Sequence, residues 1–215
     1  LMHGDCLELM RGIPDGSVDM ILCDLPYGTT QNKWDSIIPL NEMWAQYERI
    51  CKGSIVLTAT QPFASALVMS NPKIFKHEWV WDRVGKVSGH LNAKIAPMRR
   101  HELILVFCKW KITYNPIKTK GTMAVAKAST KKGETYGKHN KSDYVSDERY
   151  PVDILAIQPD DARRRVHPTQ KPVALFEYLI KTYTNEGETV LDNCMGSGTT
   201  GVACKNLNRK FIGIE

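Results

Sequence analysis

The chain has 215 residues, 42% of them hydrophobic and 24% charged. That length fits one domain of about 100–200 residues with room for an inserted lobe, and the apolar fraction excludes wholesale disorder. No run approaches the ~20 consecutive apolar residues of a membrane span, and Leu1-Met2-His3-Gly4-Asp5 does not open a secretory leader, so a cytoplasmic protein with no membrane partner is expected.

The formal net charge is +6, but it is unevenly spread. Arg83 to Lys141 carries 14 Lys and Arg against two acids, Glu102 and Glu134, which leaves the rest of the chain net acidic. An acidic body with a basic insert presents one surface to a polyanion; a solvated lysine-rich loop is the other reading, and charge alone does not choose. The six cysteines include no C-x-x-C pair and mostly sit in apolar runs, so they read as buried reduced thiols and no metal site is expected.

The first clear element is Val18–Asp24, a short apolar run closed by Pro26 and Gly28, read as a buried strand. Pro39–Lys52 has helical spacing (Leu40, Met43, Trp44, Tyr47, Ile50) and Gly53 looks like its terminator. Ser54–Thr60 follows as a strand and Pro62–Ser70 as a helix. Glu78–Trp81 and Leu103–Cys108 are two further strands, with core packing expected for at least one of Trp79 and Trp81.

From Trp110 to Tyr150 no period holds, and Gly, Lys, Ser, Thr and Asn dominate; this reads as an irregular lobe. Order returns with Pro172–Thr184 as a helix, Thr189–Asp192 as a strand, Thr199–Leu207 as a helix and Phe211–Glu215 as a strand. Strands alternating with helices predict an α/β fold with a mostly parallel sheet covered on both faces. The division expected is 1–108, a basic lobe at 109–150, and 151–215 completing the first domain.

Two segments carry chemistry. Asp192-Asn193-Cys194-Met195-Gly196-Ser197-Gly198-Thr199 is a strand end, a tight turn and a helix start, where bare backbone N–H groups meet a ligand closely. Glu215 lies 19 residues beyond Gly196, where a carboxylate accepts both hydroxyls of a ribose. Gly196-x-Gly198-x-x-Gly201 also fits a dinucleotide fingerprint, so NAD stays a rival; Asp192 before the turn suits a cationic ammonium and sulfonium ligand better than a pyrophosphate.

The second segment, Asp24-Leu25-Pro26-Tyr27, follows the first strand and faces the same crevice in an open α/β sheet. It offers a carboxylate, the Leu25 carbonyl, a rigid turn and an aromatic plate. Two such acceptors would draw both hydrogens of an exocyclic amine and free its lone pair from the ring, and Tyr27 would stack on a base flipped from the helix. Taken alone, these four residues are an ordinary strand-to-turn transition.

In that order, Gly4-Asp5-Cys6 with Asp24–Tyr27, then His167-Pro168-Thr169-Gln170-Lys171-Pro172, then Asp192–Gly201 with Gly213-Ile214-Glu215, the chain resembles the permuted beta class of DNA amino-methyltransferases. The resemblance spans nearly everything outside the basic lobe. It implies the seven-stranded methyltransferase sheet, with Asp24, Leu25, Pro26 and Tyr27 as the catalytic motif and S-adenosylmethionine as cofactor. It assigns Asp5, Cys6, Asp24, Thr169, Lys171, Asp192, Cys194, Gly196, Ser197, Gly198, Thr199 and Glu215 to the cofactor.

The resemblance further implies duplex DNA as partner, base flipping and direct in-line methyl transfer. Asp at the first motif position favours adenine N6, with cytosine N4 as the alternative. Phosphate contacts are expected from Lys86, Arg99, Arg100, Lys118, Lys120, Lys131, Lys132 and Lys138. A homodimer and a cognate restriction endonuclease stay open as partners. Two departures stand out: Leu25 replaces the usual proline, and Asn193-Cys194 replaces a Pro-Phe pair that walls the cofactor pocket.

Overall fold

A computed structural model describes residues 1–28, 35–133, 137–161 and 170–215, with backbone alone at 129–133 and 137–141. They form two separately packed units, Leu1–Asn115 with Asp153–Glu215, and Pro116–Val152. The first unit opens with α1 (Cys6–Arg11), β1 (Val18–Asp24), α2 (Leu40–Ile50), β2 (Cys51–Ala59), α3 (Phe63–Ser70), β3 (Phe75–Asp82) and β4 (His101–Phe107). The second unit contributes β5 (Thr119–Ala126), β6 (Ser129–Gly133), β7 (Gly137–Lys141) and β8 (Tyr144–Arg149). The first resumes with β9 (Ile154–Ala156), α4 (Val173–Tyr183), β10 (Thr189–Asp192), α5 (Thr199–Asn206) and β11 (Lys210–Gly213).

Seven strands make one sheet in the order β11-β10-β1-β2-β4-β3-β9. Only β4 runs against the rest; it pairs antiparallel with β2 and β3, and every other neighbour is parallel. The period of two along each strand sends alternate residues to opposite faces. Ile21 and Cys23 of β1 join Met43, Trp44, Tyr47 and Ile50 of α2 and Phe63 and Leu67 of α3 in one core. Met20 and Leu22 join Leu175, Phe176, Leu179 and Ile180 of α4 and Cys204 of α5 in the other, together with both Trp79 and Trp81. Fully burying one such side chain contributes about 1.5–3 kcal/mol, so the two apolar layers hold the sheet edge in place.

Several sequence expectations need correction. Gly53 does not end α2: the helix stops at Ile50, and Gly53 lies inside β2. A Cβ there would sit 1.9 Å from the Asp19 carbonyl oxygen, so the residue is glycine because β1 presses on it. Pro172 is the N-cap of α4 and not its first helical residue. The last strand ends at Gly213, after which Ile214 pairs with Met2. Helix α1 went unread; its Asp5 cap accepts a hydrogen bond from the Glu8 amide at 3.0 Å.

The lobe is not irregular. β5 pairs antiparallel with β8, and β6 with β7. Its strands escape sequence reading because β5 and β8 hold no buried residue, so no alternation of apolar and polar positions marks them. Residues 109–115 belong with the sheet: Lys109 pairs with Glu48 at 3.0 Å, and the Asn115 amide donates to the Thr182 carbonyl at 2.8 Å.

Candidate active site

The strand order fixes where a crevice opens. The chain passes from β1 through α2 to β2 on one side, and from β10 through α5 to β11 on the other, while β1 and β10 are parallel neighbours. Their carboxyl ends therefore flank a topological switch point, the usual ligand crevice of an open α/β sheet. With Ile21 opposite Leu191 in the register, Asp24 and Asp192 end adjacent strands, and such strands are spaced about 4.8 Å apart.

At the end of β1, Asp24 is surrounded by donors. Its Oδ1 accepts from the Tyr27 hydroxyl at 2.6 Å and from the Thr58 hydroxyl; its Oδ2 accepts from the Lys171 ammonium at 2.7 Å. Thr58 stands directly across the ladder from Asp24. Lys171 also meets Glu102 Oε2 at 3.2 Å, and Glu102 Oε1 lies 3.5 Å from the Arg83 guanidinium. Burial pulls the Lys171 ammonium down, yet the two carboxylates outweigh it and hold its pKa above the ordinary lysine value. Lys171 is thus held in the Asp24–Glu102 cluster.

Tyr27 stacks on Phe63 with ring centroids 5.4 Å apart, and burial, followed by Asp24, raises its hydroxyl pKa well above normal. Leu25 is 4% exposed, so core packing anchors the turn where the related motif has proline.

The glycine loop is built differently. Asp192 is buried; its Oδ1 accepts from the Cys194 amide at 3.1 Å and its Oδ2 from the Thr200 hydroxyl. Burial, only partly offset by these bonds, raises its pKa from 3.8 to about 6. The Asp192 carboxylate therefore braces the turn from inside. Gly198 sits at φ 77° as the N-cap of α5, a left-handed conformation that suits glycine. Ser197 and Thr199 hydroxyls lie 3.4 Å apart.

Glu215 closes the loop by accepting from the Gly196 amide at 2.7 Å. The chain start lies alongside: the Glu215 amide donates to the Met2 carbonyl at 3.1 Å, and the Gly4 amide donates to the Glu215 carbonyl at 3.1 Å. Asp5 caps α1, so one of its oxygens serves the helix. The thiols of Cys6, Cys194 and Cys23 hydrogen-bond in a chain with pKa values pushed up, Cys23 to about 12 by burial, so they line the loop as neutral groups. Asn193, at the departure from Pro-Phe, is buried and accepts from the Tyr47 hydroxyl at 2.5 Å.

The expected phosphate-binding residues scatter. Lys86, Arg99 and Lys120 are exposed. Arg100 instead grips Asp82 with two 2.7 Å bonds, and Lys118 pairs with Glu148 at 2.8 Å. Thr169 and the side chains of Lys131, Lys132 and Lys138 lie outside the described residues. Sequence reading missed Thr58, Glu102, Arg83 and Tyr47. Glu102 had a signal, an acid almost alone in a basic stretch; Thr58 had none, because strand register sets its contact.

Fold and site together define a doubly wound α/β domain whose switch-point crevice joins a nucleotide-type glycine loop to an acid–aromatic turn. The chain belongs to the DNA methylase family, whose model matches residues 18–215. It is 31% identical to the type II methyltransferase M.BglII of Bacillus subtilis over 244 residues, all of this chain and 64% of that protein. It is 29% identical to the DNA adenine methyltransferase YhdJ of Escherichia coli K12, covering all of this chain and 77% of YhdJ. Among solved structures, the M1.HpyAVI–SAM complex matches with a TM-score of 0.68 at 26% identity, covering 100% of this chain and 91% of that one.

Proposed function

We propose that this chain transfers the methyl group of S-adenosylmethionine to the N6 amino group of adenine in duplex DNA, after the base is flipped from the stack. One observation carries the reading: the acceptor turn and the glycine loop leave adjacent parallel strands at the switch point. The adenine target draws on the name of YhdJ and on Asp24 at the first motif position.

The crevice suits the cofactor. The turn at Gly196–Thr199 and the Glu215 carboxylate would hold its nucleoside part, and the neutral Cys6 and Cys194 thiols replace the missing aromatic wall with apolar lining. When bound, S-adenosylmethionine supplies an electrophilic methyl carbon on a sulfonium.

Asp24 is the acceptor for the base. A carboxylate has about four lone-pair positions; Tyr27, Thr58 and Lys171 fill three and fix its plane. The fourth takes one amino hydrogen and the Leu25 carbonyl the other, so the nitrogen turns pyramidal without reorganising the protein. Tyr27, backed by Phe63, stacks on the flipped ring, and the exposed Lys86, Arg99 and Lys120 meet phosphates. The same reading puts the protein in the cytoplasm, with the DNA.

The test is label transfer from methyl-labelled S-adenosylmethionine to mixed-sequence duplex DNA, with the hydrolysate read for N6-methyladenine. N4-methylcytosine in its place would reassign the base. No transfer by folded protein, or tighter binding of NAD than of S-adenosylhomocysteine, would overturn the reading.

A further inference from the structure

Residues 83–100 join β3 to β4 and leave the sheet at the carboxyl end of β3, the same edge as Asp24 and the glycine loop. The stem is braced. Ser88 and Arg99 exchange backbone bonds at 2.8 and 2.9 Å, and the Arg83 guanidinium donates to the Ser88 hydroxyl at 2.9 Å and the Arg99 carbonyl at 2.6 Å. The tip is ordered by its own backbone: Gly89 turns left-handed into a short helix at His90–Asn92, and the Ile95 and Ala96 amides both donate to the Asn92 carbonyl at 2.9 Å.

On this braced knob the apolar side chains point into solvent. Leu91 is 100% exposed, Ile95 86% and Met98 45%. Single exposed apolar residues are ordinary, but three within eight residues on a held turn need a partner. The surroundings name its charge: residues 83–101 contain five Lys and Arg and no Asp or Glu. An apolar point ringed by cations complements a polyanion with an apolar interior. The stem is also joined to the acceptor turn through the contacts Arg83–Glu102, Glu102–Lys171 and Lys171–Asp24.

We propose that Leu91, backed by Ile95, is the wedge that enters the base stack where the target base leaves. This rests on the methyl-transfer reading above and adds to it the residue that pays the unstacking cost. Unstacking a base step costs a few kcal/mol, and proteins that kink or open a duplex offset it by inserting a Leu, Ile, Met or Phe between bases. Lys86, Lys94 and Arg99 then lie against the flanking phosphates.

The test compares Leu91→Ala with wild type on two duplexes carrying the methylated sequence, one fully paired and one with the target base opposite an abasic position. Leu91 is fully exposed, so the variant should keep the wild-type melting curve. The expected result is a loss of about tenfold or more on the paired duplex that shrinks to about threefold or less when the base is already unpaired. Equal losses on both duplexes, or no loss on either, would overturn the wedge. A variant that loses binding to anionic lipid vesicles while methylating paired DNA normally would overturn it in favour of a membrane surface. Failure of the wild type to methylate either duplex would instead sink the methyl-transfer reading, and the wedge with it.

Discussion

Two aspartates end neighbouring strands of this sheet, and their surroundings are opposite. Asp24 is half-exposed and sits among cations and hydroxyls, with Lys171, Glu102 and Arg83 extending the ionic chain behind it. Asp192 is buried, meets an amide, a hydroxyl and the Cys23 thiol but no cation among them, and has a pKa raised to about 6. Two carboxylates in surroundings this different do different work in the fold. Asp24 is held in place by three donors at the end of β1; Asp192 is consumed in shaping the glycine turn.

The contrast breaks most visibly at Lys171. Replacing it by Met leaves Asp24 and Glu102 facing each other with no cation between them, and urea unfolding should register a loss of about 3–5 kcal/mol. Adding Glu102→Gln to that variant should restore part of the loss. Asp24→Ala keeps the Lys171–Glu102 pair, so the fold should survive while single-turnover methyl transfer falls about a thousandfold.

The Asp192 side of the contrast is read by pH. Its folded-state pKa of about 6 lies above its ordinary 3.8, so the folded protein holds the proton more tightly than the unfolded chain. This group's contribution to stability is present at acid pH and is lost as pH rises through that interval. Unfolding of wild type and Asp192→Asn from pH 4 to 7 should therefore diverge in the variant's favour by up to about 3 kcal/mol. A constant difference across that range would mean the carboxylate is paired. Smallest is Thr58→Val, which removes one donor from Asp24 and should slow transfer by about tenfold with little change in cofactor affinity.

The sequence made the crevice legible and its wiring obscure. Val18–Asp24 and Thr189–Asp192 stand out because both faces of a central parallel strand are buried, which leaves an unbroken apolar run before an acid. The glycine loop was readable because backbone conformation demands its residues. What escaped was set across the fold. Thr58 meets Asp24 only through the β1–β2 register, Lys171 reaches it from 147 residues away, and Tyr47 of α2 pins Asn193. Gly53 misled because a close backbone approach and a helix stop use the same residue. The exposed ladders of Pro116–Val152 left no periodic mark at all.

A crystal structure of the chain with S-adenosylhomocysteine bound is the sharpest arbiter of how these parts work together. The ligand's sulfur should rest in the gap flanked by the Gly196 backbone and the Asp24 carboxylate, with the ribose hydroxyls on Glu215. A ligand seated at any other sheet edge, or a sulfur turned away from Asp24, would contradict the account.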